Sequence, residues 1–188
     1  MDLPSGRLHR NEIRNGKTET AFPGVFQEWS ASRRPGSAEL VWQDAQPVVR
    51  TRIYAPHLER LARTWVRDFA SQDTVGGVAN EVESSELSGV GQLDLVAVER
   101  NPSGASKIIA IGEVKSGVQP VGLAEVARLD EAVKNLASVR SVRVRRMVTP
   151  SCKRILVSRA GFTAELHKIA AGRPDVELVD LPRLYGGL

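Results

Sequence analysis

The chain contains a single cysteine, Cys152, and this scarcity excludes two kinds of site. One thiol cannot form an intramolecular disulfide, and it cannot build a cysteine-based zinc site. The first twenty residues lack the apolar segment of a secretion signal, and no apolar run approaches the roughly 18–20 residues that span a bilayer. We therefore expect a protein of the reducing cytoplasm, with no membrane partner.

Acidic residues are missing from residues 132–164, although the whole chain carries a net charge of only +4. A basic surface in this segment suits a polyanion, and the expected partner is nucleic acid, in the first place DNA. A solvated basic loop without a ligand is an equally weighted alternative. The candidate nucleic-acid-binding residues are Arg140, Arg143, Arg145, Arg146, Lys153 and Arg154.

The order of polar and apolar segments predicts three regions. Residues 1–20 are polar and glycine-punctuated, which favours a flexible arm. Residues 21–53, with Trp29 and Trp42, are interpreted as a helical brace. Residues 54–188 then form the main domain, which at this length is one domain of ordinary size.

Within the main domain the apolar periodicity predicts an α/β fold. A helix over 56–70 has an apolar face, and three strands follow over 78–83, 92–99 and 107–115. A second helix over 121–138, a strand over 154–158, a short helix capped by Thr163 and a strand over 176–181 complete the order. The central strands are apolar on both faces, so we expect a mixed sheet flanked by helices. The residues expected on the first helix's apolar face are Leu58, Leu61, Ala62, Trp65, Val66 and Phe69.

Two carboxylates are expected to meet where the second and third strands pair. Strict alternation places Asp94 on one face with Val96, and Glu113 on one face with Ile109 and Lys115. A hairpin turning between Ser103 and Gly104 sets Asp94 directly opposite Glu113, and directly opposed residues lie about 5 Å apart. Three charged groups thus gather on an otherwise apolar face.

Such a pair of carboxylates favours a divalent cation. Two close carboxylates repel one another and resist desolvation, whereas Mg²⁺ or Mn²⁺ accepts their oxygens together with waters and a substrate phosphate. Lys115 can then orient an attacking water and offset negative charge on the phosphate. The alternative is structural: Lys115 pairs with Asp94, and Glu113 is solvated.

Glu59, on the first helix, borders the apolar face and can point toward the carboxylate pair. An i,i+4 surface pair with Arg63 explains its position equally well. Both interpretations stay open from the sequence.

These residues resemble the PD-(D/E)XK nuclease superfamily. The resemblance rests on the helix acid and on the segments 92–97 (QLDLVA) and 111–115 (IGEVK). It implies a restriction-endonuclease-like core with the order α-β-β-β-α-β and a central mixed sheet. It also implies that Asp94 and Glu113 bind the metal, that the Val114 carbonyl adds a ligand, and that Lys115 is the catalytic lysine. Glu59 matches the helix acid of several branches.

A longer resemblance spans roughly residues 26–185. The segments 34–35, 39–42, 54–63, 156–163 and 179–181 are similar to the C-terminal nuclease-like domain of archaeal-type AAA+ ATPases. This similarity implies an ATPase partner or a fused ATPase domain, and a homodimer is a further expected partner. The ATPase half is not part of this sequence.

Two functions compete at this stage. The first is a metal-dependent endonuclease that hydrolyses phosphodiester bonds with Mg²⁺ or Mn²⁺. The second is a non-catalytic module that binds nucleic acid, regulates an ATPase or dimerises on the same fold. The presence of Asp94, Glu113 and Lys115 together favours the first.

Overall fold

The computed structural model describes residues 37–87 and 89–186 of the 188-residue chain. The predicted arm, and the brace as far as residue 36, lie outside the described residues. The chain divides after Arg52 into two units, which are described separately. In the first unit, α1 (Ser37–Val49) contains Pro47 and leads into a π-helical turn, Arg50–Tyr54, which crosses the unit boundary.

The second unit has α/β architecture with one five-stranded sheet. Two helices precede the sheet, and the remaining helices alternate with its later strands. The elements are α2 (Ala55–Asp68), α3 (Gln72–Val75), β1 (Glu81–Leu87), β2 (Gly91–Arg100), β3 (Ser106–Lys115), α4 (Leu123–Ser138), α5 (Val142–Met147), β4 (Val148–Ser158), α6 (Ala164–Ala171), β5 (Val176–Asp180) and α7 (Leu181–Gly186).

The sheet is mixed, as the sequence predicted. Its strands follow the order β1-β2-β3-β4-β5, with antiparallel pairing through β3 and parallel pairing from β3 to β5. Each parallel connection crosses over through helices, α4 and α5 in the first case and α6 in the second. The strands β2 and β3 lie inside the sheet, and helices cover both of its faces. Residues on these two strands therefore lie between two helical layers.

The helix α2 covers one face of the sheet through its predicted apolar side chains. Leu58, Ala62, Trp65 and Val66 are buried in one core cluster with the strand residues Leu95 and Ile155. The prediction for Phe69 was wrong, because the helix ends at Asp68 and Phe69 is 61% exposed.

The helices α4 and α6 cover the opposite face. The second core cluster joins the apolar stripe of α4 to Ile111 and Leu156 of the sheet and to Leu166 of α6. Thr163 caps α6 as predicted, since its hydroxyl accepts a hydrogen bond from the backbone N–H of Leu166 at 3.2 Å. The stripe of α4 consists of Val126, Leu129, Ala132, Val133 and Leu136.

The pairing of β2 with β3 has the expected register near the carboxylates but not near the turn. Leu95 lies opposite Gly112 and Ala97 opposite Ala110, whereas Val98 lies opposite Ile108. A bulge at residue 109 absorbs the difference. The centre of the turn is therefore half a residue away from its predicted position, and beyond the bulge the strands follow the predicted register, with Leu95 opposite Gly112.

Two departures from strict alternation follow from bulges. Leu93 packs in the α4-side cluster although alternation placed it with Leu95, because β2 is bulged against β1 between Glu83 and Ser85. Ile109 packs on the α2 side rather than with Ile111, because it is the extra residue of the β3 bulge.

The segment between α4 and β4 holds a helix that the sequence did not predict. Ser141 caps α5, and β4 begins at Val148 rather than at residue 154. Regular pairing of β4 with β3 starts at Lys153, close to the predicted start of the strand. Within the described residues, no helix has the length and apolar character needed to cross a membrane.

Candidate active site

Asp94 lies in β2 within the β1–β2 bulge, and the residue is 8% exposed. One of its oxygens, Oδ2, accepts a hydrogen bond of 2.9 Å from the backbone N–H of Val114 on β3. The guanidinium of Arg63 on α2 donates to the Asp94 carbonyl oxygen, also at 2.9 Å. Two neighbouring elements therefore fix the position of this aspartate.

Glu113 lies near the end of β3 and directly follows Gly112. The pair of Gly112 with Leu95 is the last one of the β2–β3 ladder. Glu113 is 6% exposed, and Lys115 Nζ donates to its Oε1 at 3.0 Å. Burial raises the pKa of Glu113, the nearby Asp94 charge raises it further, and Lys115 and Arg128 oppose the increase. The charge of Asp94 therefore acts on Glu113, while their direct opposition at about 5 Å stays a prediction.

Lys115 ends β3 with about a third of its side chain exposed. It contacts Glu113 and also lies 3.4 Å from Glu125 Oε2 at the start of α4. A recess of about 300 Å³, formed by the loop 117–122, opens beside Lys115 and Glu125. A solvent-side ligand can therefore approach the ammonium group directly.

Glu59 forms the i,i+4 pair with Arg63 that one interpretation expected, and the charges of Asp94 and Glu113 also act on it. Its Oε2 lies 3.8 Å from Arg63, an i,i+4 pair along α2. Burial raises the pKa of Glu59, and Asp94 and Glu113 raise it as well, whereas Arg63 lowers it. The helix acid thus lies near the carboxylate pair while it contacts the arginine that holds Asp94.

The sequence prediction missed the contribution of α4. The guanidinium of Arg128 contacts Glu113 Oε2 as an ion pair, and its Nε lies 3.5 Å from Glu125 Oε2. The only feature of the sequence that pointed to Arg128 was its charged i,i+3 pair with Glu125, next to the apolar stripe of α4. That pattern is common on helices, and only the crossover after β3 brings it to Glu113.

The structural alternative for the charged triplet is wrong in its details. Lys115 pairs with Glu113 rather than with Asp94, and Glu113 is buried rather than solvated. Val114 donates its N–H to Asp94, while its side chain packs in the α2-side core. The role of its carbonyl as a ligand stays a prediction.

The structure describes the side chains of five of the six candidate nucleic-acid-binding residues, three of them exposed and two paired within the protein. Arg140, Arg143 and Arg145 are exposed around the start of α5, whereas the side chain of Arg146 is outside the described residues. Arg154 is only 8% exposed and forms ion pairs with two aspartates.

Lys153 is also engaged within the protein. Its ammonium donates to the carbonyl oxygen of Pro174 and lies 3.4 Å from Glu177. Lys153 and Arg154 therefore take part in internal ion pairs. The role of all six in binding nucleic acid stays a prediction.

The oxygen ligands that the site offers to a divalent cation come from two carboxylates. In the ranges 37–87 and 89–186, no group of three or more His, Cys, Asp or Glu side chains has the arrangement of a metal site. Asp94 and Glu113 provide two carboxylates, and the buried Glu113 Oε2 forms an ion pair with Arg128 but accepts no well-formed hydrogen bond. Two carboxylates with waters and a substrate phosphate are sufficient for Mg²⁺, so the residues present fit such an ion.

Comparison with known proteins gives no further assignment. No protein-family model, no curated protein and no solved structure matches this chain. The function must therefore be argued from the site itself.

Proposed function

We propose that Asp94, Glu113 and Lys115 form a metal-dependent phosphodiester hydrolysis site on a restriction-endonuclease-like fold. The observation that supports this most strongly is the burial of both Asp94 and Glu113, with the Asp94 carboxylate hydrogen-bonded to the backbone N–H of Val114, the residue that follows Glu113. Burying like charges destabilises a fold unless a cation or a proton compensates for them. A binding function gives a reason for this arrangement.

The metal ligands of the proposed site are Asp94 and Glu113, with the Val114 carbonyl as the further ligand that the resemblance implies. A bound Mg²⁺ or Mn²⁺ supplies positive charge at the phosphate and acidifies a bound water. Asp94 is already oriented by the N–H of Val114 and, through its own carbonyl, by Arg63. This fixed geometry favours catalysis because no reorganisation is needed as charge develops.

Lys115 positions the nucleophile and stabilises negative charge in this proposal. Its ammonium is held 3.0 Å from Glu113 and faces the recess beside α4. From there it donates a hydrogen bond to an attacking water or to a phosphate oxygen. Glu59, near Asp94 and Glu113, is the further carboxylate available to hold a water or a second ion.

The substrate class proposed is nucleic acid, with DNA as the first form to test. The exposed Arg140, Arg143 and Arg145 lie beyond the C-terminal end of α4, whereas Lys115 and Glu125 lie at its start. A 16-residue helix is about 24 Å long at 1.5 Å per residue. These arginines therefore suit phosphates well away from the scissile one, as a long polymer provides.

A second candidate is a non-catalytic module that binds nucleic acid or regulates an ATPase partner. It is favoured by the ion pairs around Glu113, in which Lys115 and Arg128 together compensate the carboxylate without any metal. Such a self-compensated cluster is stable in a protein that performs no chemistry.

Cleavage assays distinguish the two candidates. The wild-type chain is incubated with supercoiled, linear, branched and single-stranded DNA, and with RNA, in Mg²⁺ or Mn²⁺. We expect metal-dependent cleavage that falls at least about 100-fold in Asp94→Asn, Glu113→Gln and Lys115→Met, because each removes a group that acts on the transition state.

The matched control is Glu131→Gln, which removes an exposed carboxylate elsewhere on α4. It should cleave within about twofold of wild type. If the folded wild-type protein cleaves none of these substrates, the non-catalytic candidate replaces the hydrolase.

A further inference from the structure

Arg128 is joined to the proposed site by an unusual contact. Its side chain is 51% exposed, yet its guanidinium contacts the Oε2 atom of a Glu113 carboxylate that is 8% exposed. That same oxygen accepts no well-formed hydrogen bond. The contact is therefore an ion pair between a buried anion and a half-exposed cation that reaches it from the solvent side.

The two oxygens of Glu113 are contacted by cations of different origin. Lys115, two residues further along β3, donates to Oε1, whereas Arg128 reaches Oε2 from α4. The flexible, half-exposed side chain of Arg128 can leave Glu113 without changing the sheet. A long side chain on a helix surface has many rotamers, and Arg128 can leave the buried carboxylate once another cation compensates for its charge.

The formal charges of the side chains around Glu113 show why its carboxylate needs a cation as partner. Four carboxylates (Asp94, Glu113, Glu59 and Glu125) and three cations (Lys115, Arg63 and Arg128) leave the cluster with a formal charge of −1. A divalent cation changes this to +1, and a phosphodiester then neutralises it. A cation displaced from Glu113 thus gains a new partner only when the substrate arrives.

We propose that Arg128 is the phosphate-binding residue of this site and that it is held on Glu113 until a divalent cation takes its place. This inference rests on the proposed function. With a divalent cation held by Asp94 and Glu113, the guanidinium would turn toward the recess beside Glu125 and donate hydrogen bonds to a substrate phosphate oxygen. Arginine suits this role because its planar group donates two parallel hydrogen bonds to phosphate.

The test compares Arg128→Met with Lys134→Met in the full chain. Lys134 is the matched control because it lies on the same helix and forms the same i,i+3 pair, with Glu131 at 3.4 Å, away from the site. Mn²⁺ binding is measured by calorimetry at low salt. We expect Arg128→Met to bind Mn²⁺ about three- to tenfold more tightly than wild type, because a competing cation is removed. Lys134→Met should match wild type.

The effect of Arg128→Met on DNA affinity is expected to be opposite in sign to its effect on Mn²⁺ affinity. In a Lys115→Met background, which prevents cleavage, binding of a short DNA is followed by fluorescence anisotropy at saturating Mn²⁺. Adding Arg128→Met should weaken DNA binding by about tenfold, because a charge-assisted contact to phosphate is lost. Adding Lys134→Met should change it by less than about twofold.

The outcomes separate this inference from the proposed function. If wild type binds Mn²⁺ in a Glu113-dependent manner and Arg128→Met has the same affinity, Arg128 is no competitor and the inference fails while the metal site stands. Tighter Mn²⁺ binding with unchanged DNA affinity also contradicts it, since the phosphate contact is then absent. If wild type binds no Mn²⁺, the proposed function and this inference fail together.

Discussion

At the scale of single residues, the unusual feature is a glutamate buried beside an aspartate. Burial raises the pKa of Glu113, and the charge of Asp94 acts in the same direction. The ionised Glu113 is therefore less stable in the folded protein than in the unfolded chain. A metal site of the proposed kind would carry such a cost in the absence of its ligand.

Glu113→Gln tests that cost through the pH dependence of stability. Because the folded pKa of Glu113 is raised, its contribution to stability is complete below the unfolded value near pH 4.3 and is lost as pH rises through the folded value. The amide side chain of the Glu113→Gln variant does not ionise, so the variant loses no stability in this pH range from that position. In EDTA, the free energy of unfolding of Glu113→Gln should thus rise relative to wild type between about pH 4 and pH 7.

Urea denaturation at several pH values makes this measurement. The variant is compared with wild type at each pH, because Asp130 and Asp175 have lowered pKa values through Arg173 and give the opposite trend in both proteins. Glu131→Gln controls for the loss of a carboxylate from the surface. A difference between Glu113→Gln and wild type that stays constant with pH contradicts the burial argument.

At the scale of elements, the close approach of β3 and β4 fixes Glu113 in place. A Cβ atom added at Gly112 would lie 2.5 Å from the carbonyl oxygen of Ile155, a backbone atom that cannot move alone. Glycine at this position therefore allows the central strands to pair at normal distance. Its neighbour Glu113 pairs with Leu156 on the same parallel ladder.

Gly112→Ala should destabilise the protein by about 3 kcal/mol, because overpacking against backbone falls at the upper end of the usual range. The control is Gly117→Ala, where nothing lies within 4 Å of the added Cβ. That variant should change the free energy of unfolding by less than about 0.5 kcal/mol. Equal stabilities of the two variants in urea denaturation would contradict the close strand packing.

Periodicity predicted the elements that pack in the core, and bulges explain most of the differences. The helix α2, the strands β2 and β3 and the stripe of α4 follow from apolar spacing, because burial imposes it. The sheet faces on which Leu93 and Ile109 lie did not follow from apolar spacing. A bulge depends on how two strands pair, and it leaves no simple pattern in the sequence of either strand. The site triplet was predicted from spacing, but Arg128 depends on the path of a crossover.

At the scale of the whole molecule, basic residues occupy two different environments. Arg154 and Arg173 form a partly buried network with Asp130 and Asp175, which ties α4 to the start of β5. The exposed arginines of the segment around α5 have no comparable place in the core. A count of cations along the sequence cannot make this distinction, because it depends on which acids the fold brings near them.

The proposed hydrolysis site and the proposed role of Arg128 both require that Asp94 and Glu113 bind one divalent cation. Crystals of the wild-type protein soaked in Mn²⁺ test this directly through the anomalous difference map. We expect a peak between the two carboxylates, with oxygens at about 2.1 Å, and the Arg128 guanidinium moved away from Glu113. A map with no peak there, and with Arg128 still on Glu113, would contradict the central claim.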